Sequence, residues 1–381
     1  MGTLTGVKVV EFAGIGPGPF ACMMLADMGA EVIRIDRAAG VGKEPRPPAT
    51  ATTLRGRRNL ALDLKQPAAV ETALALCAKA DMVIEGFRPG VMERLGLGPD
   101  VMLKRNPKLV YGRMTGWGQD GPIAKTPGHD INYIALTGAL ATIGTKAGGP
   151  VLPLNLVGDY GGGALYMVVG VLAAYIEAQR SGKGQVVDTS MVEGAASLMT
   201  PTYGALAAGQ WIEERESNRL DGGCHHYNVY LTKDGKHISI GSNEPQFYEV
   251  LLATVGLTQE KLPAQADRAH WPAMRERMAA IFKTKTRAEW TEIMEQKEIC
   301  FAPVLNMSEA PLHPQNKARG SFVEVDGVLQ PGPAPKFSRT GSSITRGPAY
   351  AGEHSRDVLA DWGFDRGAIE KLIATGAVKQ R

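Results

Sequence analysis

The chain begins with Gly6-Val7-Lys8-Val9-Val10-Glu11-Phe12-Ala13, an apolar run rich in β-branched residues that predicts a buried strand. A glycine- and proline-rich turn covers residues 14–19, and helical apolar spacing over 20–28 ends at Gly29. Glu31-Val32-Ile33-Arg34-Ile35-Asp36 predicts a second strand. This β-α-β order indicates a parallel sheet, and therefore an α/β fold.

Further β-α units follow the first one. Strands are predicted over 59–65, 81–85, 109–114 and 185–190, with helices over 66–80, 91–95, 164–179 and 191–206. The loops after these strands carry arginine, glycine or aromatic residues. Because the carboxyl ends of parallel strands share one edge of a sheet, we expect a binding site there.

The turn at residues 14–19 raises the question of dinucleotide binding. Position 19 is Pro where a third fingerprint glycine would stand, and Pro17 and Pro19 lack the amide donors that hold a pyrophosphate. NAD binding is therefore not expected. Arg37, at the end of the second strand, either clamps a phosphate or forms a surface ion pair.

The pattern changes after residue 209. Residues 229–240 predict a hairpin with Asp234-Gly235 at its tip, and helices are predicted over 246–255, 271–282 and 287–297. We therefore predict a large catalytic α/β domain over 1–209, a linker over 210–224 and a small α+β domain over 225–320. Residues 321–381 form a return linker and two short helices that pack on the large domain.

Composition excludes several classes of protein. The 381 residues are 44% hydrophobic and 21% charged, with a net charge of only +3, which disfavours nucleic-acid binding. The four scattered cysteines have no metal-ligand spacing, so no metal is expected, and free thiols are typical of a reducing, cytoplasmic compartment. No signal peptide is visible. The apolar run 164–176 is too short to span a bilayer, so no membrane is expected as a partner.

Two motifs carry groups suited to proton transfer. Gly128-His129-Asp130-Ile131-Asn132-Tyr133 places a histidine beside an apolar run, and Asp159 directly precedes Tyr160 and three glycines, Gly161 to Gly163. His129 is either a base or a hydrogen-bonded loop histidine, and Asp159 is either a second base or a helix N-cap. The glycines either present helix N-terminal amides to a thioester oxygen or only permit tight packing.

Together, its motifs make the chain resemble the family III CoA-transferases along nearly its whole length. Thr115-Gly116-Trp117-Gly118-Gln119 and Gly182-Lys183-Gly184-Gln185 are typical of the whole family. The motif at 128–133 and Glu244-Pro245-Gln246-Phe247-Tyr248 are typical of its racemase branch. The resemblance implies a large Rossmann-like domain, a small domain and an interlocked homodimer.

The resemblance also implies roles for individual residues. His129 and Asp159 match the general bases, and Glu244 matches a glutamate in a supporting role. The positions that match contacts to the acyl-CoA substrate are Arg37, Leu62, Asp63, Leu64, Lys65, Gly86, Phe87, Arg88, Arg94, Gly128, His129, Asp130, Ile131, Asn132 and Tyr133.

The activity implied is epimerisation of 2-methylacyl-CoA thioesters by 1,1-proton transfer, in fatty acid metabolism. No cofactor is expected, because coenzyme A is part of the substrate. The alternatives are a CoA-transferase with Asp159 as nucleophile, and an acyl-CoA-binding module, which would leave the acid/base pair without a task. Cys224-His225-His226 and Gly241-Ser242-Asn243 depart from the branch pattern near the expected acyl pocket.

Overall fold

A seven-stranded sheet forms the centre of the computed structural model, which describes residues 2–43 and 48–381. Its strands are β1 Lys8–Phe12, β2 Glu31–Arg37, β3 Arg57–Leu62, β4 Met82–Glu85, β5 Val110–Thr115, β6 Gln185–Ser190 and β7 Val378–Lys379. The strand order is β7-β3-β2-β1-β4-β5-β6. All neighbours pair in parallel except β7, which pairs antiparallel with β3. The expected mostly parallel α/β fold is confirmed.

Strand order explains where a ligand can enter this sheet. From β3 to β6 the order is 3-2-1-4-5-6, the doubly wound arrangement in which chain direction across the sheet reverses between β1 and β4. The loops after β1 and β4 diverge at that reversal and leave a crevice between them. The fold therefore points to the carboxyl end of β1 and β4 as the binding region.

Alternating side chains build a core on each face of the sheet. Val10 and Ile33 belong to one buried cluster, whereas their neighbours Val9 and Val32 belong to another, as the two-residue period of a strand requires. The helices in the same compact unit as this sheet are Pro17–Asp27, Pro67–Cys77, Val91–Arg94, Pro99–Arg105, Asp130–Ala135, Leu156–Leu165, Tyr166–Ser181, Met191–Leu198, Ser355–Asp361 and Arg366–Ala374. The helix at 99–105 and strand β7 were not predicted, and a hairpin joins Phe322–Val325 to Val328–Pro331.

The long apolar helix starts eight residues earlier than predicted. Residues Leu156–Leu165 form a π-helix that continues without interruption into the α-helix Tyr166–Ser181. This 26-residue helix is the one helix in the described chain that is long and apolar enough to cross a membrane. The helix was predicted over 164–179, and the expectation that it is too short to span a bilayer rested on the run 164–176, which underestimates its length. Its buried residues, including Met167 and Val171, pack in the core against β5 and β6.

A second compact unit surrounds a three-stranded antiparallel sheet. Tyr227–Leu231 pairs with His237–Gly241, which confirms the hairpin, and Phe301–Val304 pairs on the other side. The helices are Ala139–Thr142, Thr200–Ala207, Pro245–Thr254, Trp271–Phe282, Arg287–Met294 and Pro314–Ala318, and a two-stranded ladder joins Gly144–Thr145 to Gly149–Pro150. Trp290, Phe282 and Met278 lie at the centre of its core.

The bounds of the compact units differ from the predicted domain bounds. The first unit contains residues 1–137, 154–198 and 318–381, and the second contains 138–153 and 199–317. The predicted single helix over 191–206 is two helices, Met191–Leu198 and Thr200–Ala207, and the break lies at this unit boundary. Residues 210–224 belong to the second unit, where the Asn218 side chain bonds both backbone groups of Ile212.

Candidate active site

A cavity of about 500 Å³ opens at the reversal point of the large sheet. Its walls are the turn that follows β1 (14–19), the loop that follows β4 (86–89), the loop that follows β5 (115–117) and residues 126–129. Asn155, Asp159 and Tyr160 from the π-helix complete the lining. His129 and Asp159, predicted from separate motifs, therefore share one cavity.

His129 is placed by the start of a short helix. Its carbonyl accepts hydrogen bonds from the N–H groups of Asn132 (2.8 Å) and Tyr133 (3.3 Å), so the helix Asp130–Ala135 begins directly after it. Its own N–H donates to Asn132 Oδ1 at 3.0 Å. These bonds fix the backbone of an exposed histidine at the wall of the cavity.

Asp159 sits in an environment that favours its protonated form. Burial raises the pKa of the carboxyl group, and the nearby Asp130 carboxylate raises it further. Asn155 opposes the rise by donating from Nδ2 to Asp159 Oδ2 at 3.1 Å, and His129 opposes it through its positive charge. The raised pKa lets this carboxyl group hold a proton more readily than an ordinary aspartate, as a residue that both accepts and returns a proton must.

The three glycines after Tyr160 do not stand at a helix N-terminus. They lie inside the π-helix, so the hypothesis that their amides receive a thioester oxygen is wrong. A Cβ on Gly162 would lie 2.5 Å from the backbone nitrogen of Ala195, and one on Gly194 would lie 1.8 Å from Gly162 O. The glycines permit two helices to touch, which was the alternative interpretation. Asp159 is likewise not an N-cap, because Asn155 precedes the helix.

Asp130 and Tyr133 support the two candidate bases. Asp130 is buried and its Oδ2 accepts the Asp159 backbone N–H at 2.7 Å, which ties the two motifs together. The Tyr133 hydroxyl donates to Gly128 O, and its ring meets Trp117 edge-on with centroids 4.8 Å apart. A Cβ at Gly128 would lie 2.7 Å from the Tyr133 ring, so only glycine fits before His129.

Gly16 is a site residue that sequence reasoning missed. It has a φ of 68°, precedes the helix Pro17–Asp27, and an added Cβ would lie 3.0 Å from Asp159 Oδ2. The sequence contained a signal, the Gly-Pro alternation at 14–19, but it was interpreted only as a turn that disfavours dinucleotides. Asn155, which bonds Asp159 directly, was not predicted either.

The predicted substrate contacts divide into two groups. Gly86, Phe87, Arg88, Gly128, His129 and Tyr133 line the cavity. Arg37 and Leu62 are register partners at the ends of β2 and β3, on the same edge of the sheet but outside the lining, as are Asp63, Leu64 and Lys65. Arg94 ends the helix Val91–Arg94, and Asp130, Ile131 and Asn132 form the first turn after His129.

Glu244 belongs to the second compact unit. It directly precedes the helix Pro245–Thr254, and its carbonyl accepts the N–H groups of Phe247 and Tyr248 at 3.1 and 3.0 Å.

His225 and His226 are buried in the same unit, where His225 Nε2 lies 2.8 Å from the Tyr248 hydroxyl. Their environment is a packed aromatic cluster with Tyr248 and Trp271.

Residues 2–43 and 48–381 contain no cluster of three or more His, Cys, Asp or Glu side chains that could hold a metal ion. The expectation that no metal takes part stays a prediction. The acid/base groups of the cavity, His129 and Asp159, need no metal to move a proton.

Comparison with known proteins agrees with this geometry. Residues 4–355 match the model of CoA-transferase family III. The chain is 46% identical to the alpha-methylacyl-CoA racemase of Mus musculus over 97% of this chain and 96% of that protein. It is 41% identical to the Homo sapiens racemase over 99% of both.

The crystal structure of a CAIB/BAIF family protein from Brucella suis superposes with a TM-score of 0.82, covering 95% of this chain and 99% of that one. At 24% identity, that likeness concerns the fold alone. The chain, with its doubly wound sheet and its full-length match, belongs to CoA-transferase family III.

Proposed function

We propose that the protein is an isomerase that epimerises 2-methylacyl-CoA thioesters at the α-carbon. The observation that carries this proposal is the presence of His129 and Asp159 on the wall of one cavity, with burial raising the pKa of the Asp159 carboxyl. The racemases of Mus musculus and Homo sapiens support the same activity by full-length similarity. No cofactor is needed, because coenzyme A is part of the substrate.

The reaction exchanges one proton for another at a single carbon. One base breaks the α-carbon–hydrogen bond and the electron pair moves into an enolate of the thioester; the other base then delivers a proton to the opposite face. In one direction neutral His129 works with protonated Asp159, and in the other an imidazolium works with a carboxylate. Because burial raises the pKa of Asp159, this residue holds a proton more readily, which helps to keep both directions open.

Binding energy from the distant nucleotide holds the α-carbon between the two bases. Arg37 and Arg94 are exposed arginines near the carboxyl edge of the sheet, and Lys65 follows β3 at the same edge. We propose that they contact the phosphates and adenosine end of coenzyme A through charge-assisted bonds.

Arg37→Gln and Arg94→Gln should raise KM for the acyl-CoA with little effect on turnover at saturation. An unesterified acid should not compete with its CoA ester. Equal inhibition by the free acid and by coenzyme A in a competition assay would contradict this assignment.

The finer features of assembly and location are also proposals. We propose an interlocked homodimer in the cytoplasm, acting in fatty acid metabolism, with Glu244 in a supporting role. The support is the family resemblance of the motif at 244–248 and the presence of four free cysteines, which is typical of a reducing compartment.

Isotope exchange tests the activity directly. One pure epimer is incubated in D₂O without any acceptor acid, and deuterium at the α-carbon is followed by mass spectrometry together with the epimer ratio. Wild-type protein should incorporate deuterium while it racemises, and His129→Ala and Asp159→Ala should each lose roughly 10²-fold or more in rate. Near wild-type racemisation by His129→Ala would contradict the two-base mechanism. If Asp159→Ala also lost CoA exchange onto a free acid, a transferase with Asp159 as nucleophile would replace it.

A further inference from the structure

A buried ion pair lies beside the cavity, and neither of its partners is one of the two proposed bases. Glu85 is the last residue of β4, is 1% exposed and lines the cavity. Arg113 on β5 donates from Nε to Glu85 Oε1 at 3.0 Å and from Nη1 to Glu93 Oε1 at 2.8 Å. Burying a carboxylate costs free energy even when it is paired, so its position calls for an explanation.

The second oxygen of Glu85 holds the loop that follows β4. Oε2 accepts the backbone N–H of Phe87 at 2.7 Å. The Phe87 ring packs against the core cluster under the sheet, and Val91 N–H donates to Arg88 O at 3.1 Å. Three contacts therefore hold residues 86–88: the bond to Glu85, the packing of the Phe87 ring and the bond from Val91. Glu85 provides the contact at the cavity wall.

Arg88 is the side chain that this segment presents. It is exposed, lines the cavity, and its guanidinium group has no hydrogen bond or ion pair with any residue in 2–43 or 48–381. Burial and the Asp159 carboxylate raise the pKa of Tyr133 and the Arg88 cation opposes that rise, so the arginine lies within electrostatic reach of the helix that follows His129. An unpaired guanidinium in a cavity is suited to an anionic ligand group.

We propose that Glu85 is a positioning residue: by holding the turn at 86–88 it aims Arg88 at a phosphate group of the substrate. The inference rests on the proposed function in one respect, that the phosphate belongs to an acyl-CoA. Glu85 touches no reacting atom in this role. Its effect is on substrate affinity, through Arg88, and not on the proton transfer.

Glu85→Gln separates an effect on substrate affinity from an effect on proton transfer. An amide has one acceptor oxygen, whereas the carboxylate has two. The oxygen should stay with the charged guanidinium, which turns the NH₂ group toward the Phe87 N–H and releases the turn. The affinity for free coenzyme A, measured by calorimetry, should fall roughly tenfold, and KM should rise equally with kcat unchanged. Glu93→Gln is the matched control: it pairs with the same arginine from the exposed side, and its coenzyme A affinity should stay at the wild-type value.

A double-mutant cycle decides whether Glu85 acts through Arg88. Arg88→Ala alone should weaken coenzyme A binding at least as much as Glu85→Gln does. Adding Glu85→Gln to Arg88→Ala should cause no further loss. The proposal would be overturned if Glu85→Gln reduced coenzyme A affinity equally in the wild type and in Arg88→Ala. It would also be overturned if Glu85→Gln left the affinity unchanged, or lowered kcat without changing KM.

A second variant covers the case in which Glu85→Gln does not fold. Glu85→Leu/Arg113→Met removes both charges together and leaves no buried ion unpaired, a replacement that proteins often tolerate. It also lacks the acceptor for Phe87 N–H, so it should show the same loss of coenzyme A affinity and the same dependence on Arg88. Because calorimetry needs no turnover, absent isotope exchange in the wild type would overturn the proposed function and leave this inference standing.

Discussion

Proton affinity is tuned at single residues in this cavity. Burial and Asp130 raise the pKa of Asp159, while the amide of Asn155 and the charge of His129 oppose the rise. His129 and Asp130 reach Asp159 from the motif at 128–133, whereas Asn155 directly precedes the helix that carries Asp159. The carboxyl group is therefore poised by geometry, and small displacements of its neighbours should change its chemistry.

Gly16 is the most sensitive of those neighbours. Gly16→Ala would place a residue with a side chain at a φ of 68° and a Cβ 3.0 Å from Asp159 Oδ2. The resulting strain and crowding should lower kcat roughly tenfold or more.

Gly14→Ala is the matched control for this change. Gly14 lines the same cavity, but a Cβ there meets nothing within 4 Å. Its kcat should stay near wild type; equal losses in both variants would mean that the turn itself, and not the contact with Asp159, limits the rate.

At the scale of elements, the π-helix and the helix Met191–Leu198 form one packed pair. Gly162 and Gly194 meet where the two helices cross, with no room for a methyl group on either one. Asp159 lies one turn before this contact, so the packing of the helices also holds the candidate base in place.

Gly162→Ala should therefore destabilise the protein. Its Cβ would lie 2.5 Å from Ala195 N, and overpacking of this kind costs about 1–3 kcal/mol of unfolding free energy. Gly204→Ala, in the exposed part of the helix Thr200–Ala207, meets nothing within 4 Å and should gain up to about 1 kcal/mol. Urea unfolding of the two variants measures the difference. A neutral Gly162→Ala would mean that the helices can move apart without cost.

The elements also show which features a single sequence can predict. Strands β1 to β6 were predicted because buried parallel strands are apolar runs bounded by turn residues. The π-helix was not, because Gly161 to Gly163 are ordinary helix breakers, and only their close contacts with neighbouring helices explain their presence. Strand β7 has two residues and depends on pairing with Leu62 and Ala61, far away in the chain. The motifs of His129 and Asp159 made them candidates and the family resemblance decided their role, whereas Gly16 and Glu85 acquire meaning only from three-dimensional neighbours.

At the scale of the molecule, the second unit contains a pair of buried histidines that should make stability depend on pH. Burial lowers the pKa of both His225 and His226 to about 4, against about 6.5 in an unfolded chain. Between these values the unfolded state binds more protons, so this stability is complete above pH 6.5 and is lost as the pH falls toward 4.

Urea unfolding at pH 7.5 and pH 5 should show lower stability at pH 5. His226→Phe should make the dependence shallower, whereas His237→Gln, at an exposed position, should leave it unchanged. If all three proteins lost stability equally between the two pH values, the dependence would have another source.

An exposed apolar face on the long helix should mediate association of the protein. Leu165, Val169 and Ile176 are exposed on one face of the long helix, and Val169 is 67% exposed. Exposed apolar faces of this kind mark interaction surfaces, and we expect a second copy of the chain to cover this one. Sedimentation velocity at micromolar concentration should show a dimer that persists on dilution. Val169→Asp should weaken it, whereas Lys183→Asp, on the exposed turn after the helix, should not; a monomeric wild type would contradict the prediction.

The π-helix at 156–165 also sets an angular relation within the long helix. Each residue of an α-helix turns the chain by about 100°, so the rotational phase of Asp159 relative to the core-facing side of Tyr166–Ser181 depends on how many residues lie between them. A π-helix has a different angular step from an α-helix. If this segment rewound as an ordinary α-helix, the carboxyl group would swing away from the cavity while Met167 and Val171 kept their places in the core. The α-helix would then keep its core contacts, but the cavity would lack a base. The length of this segment is therefore under a constraint that substitutions at individual positions would not reveal.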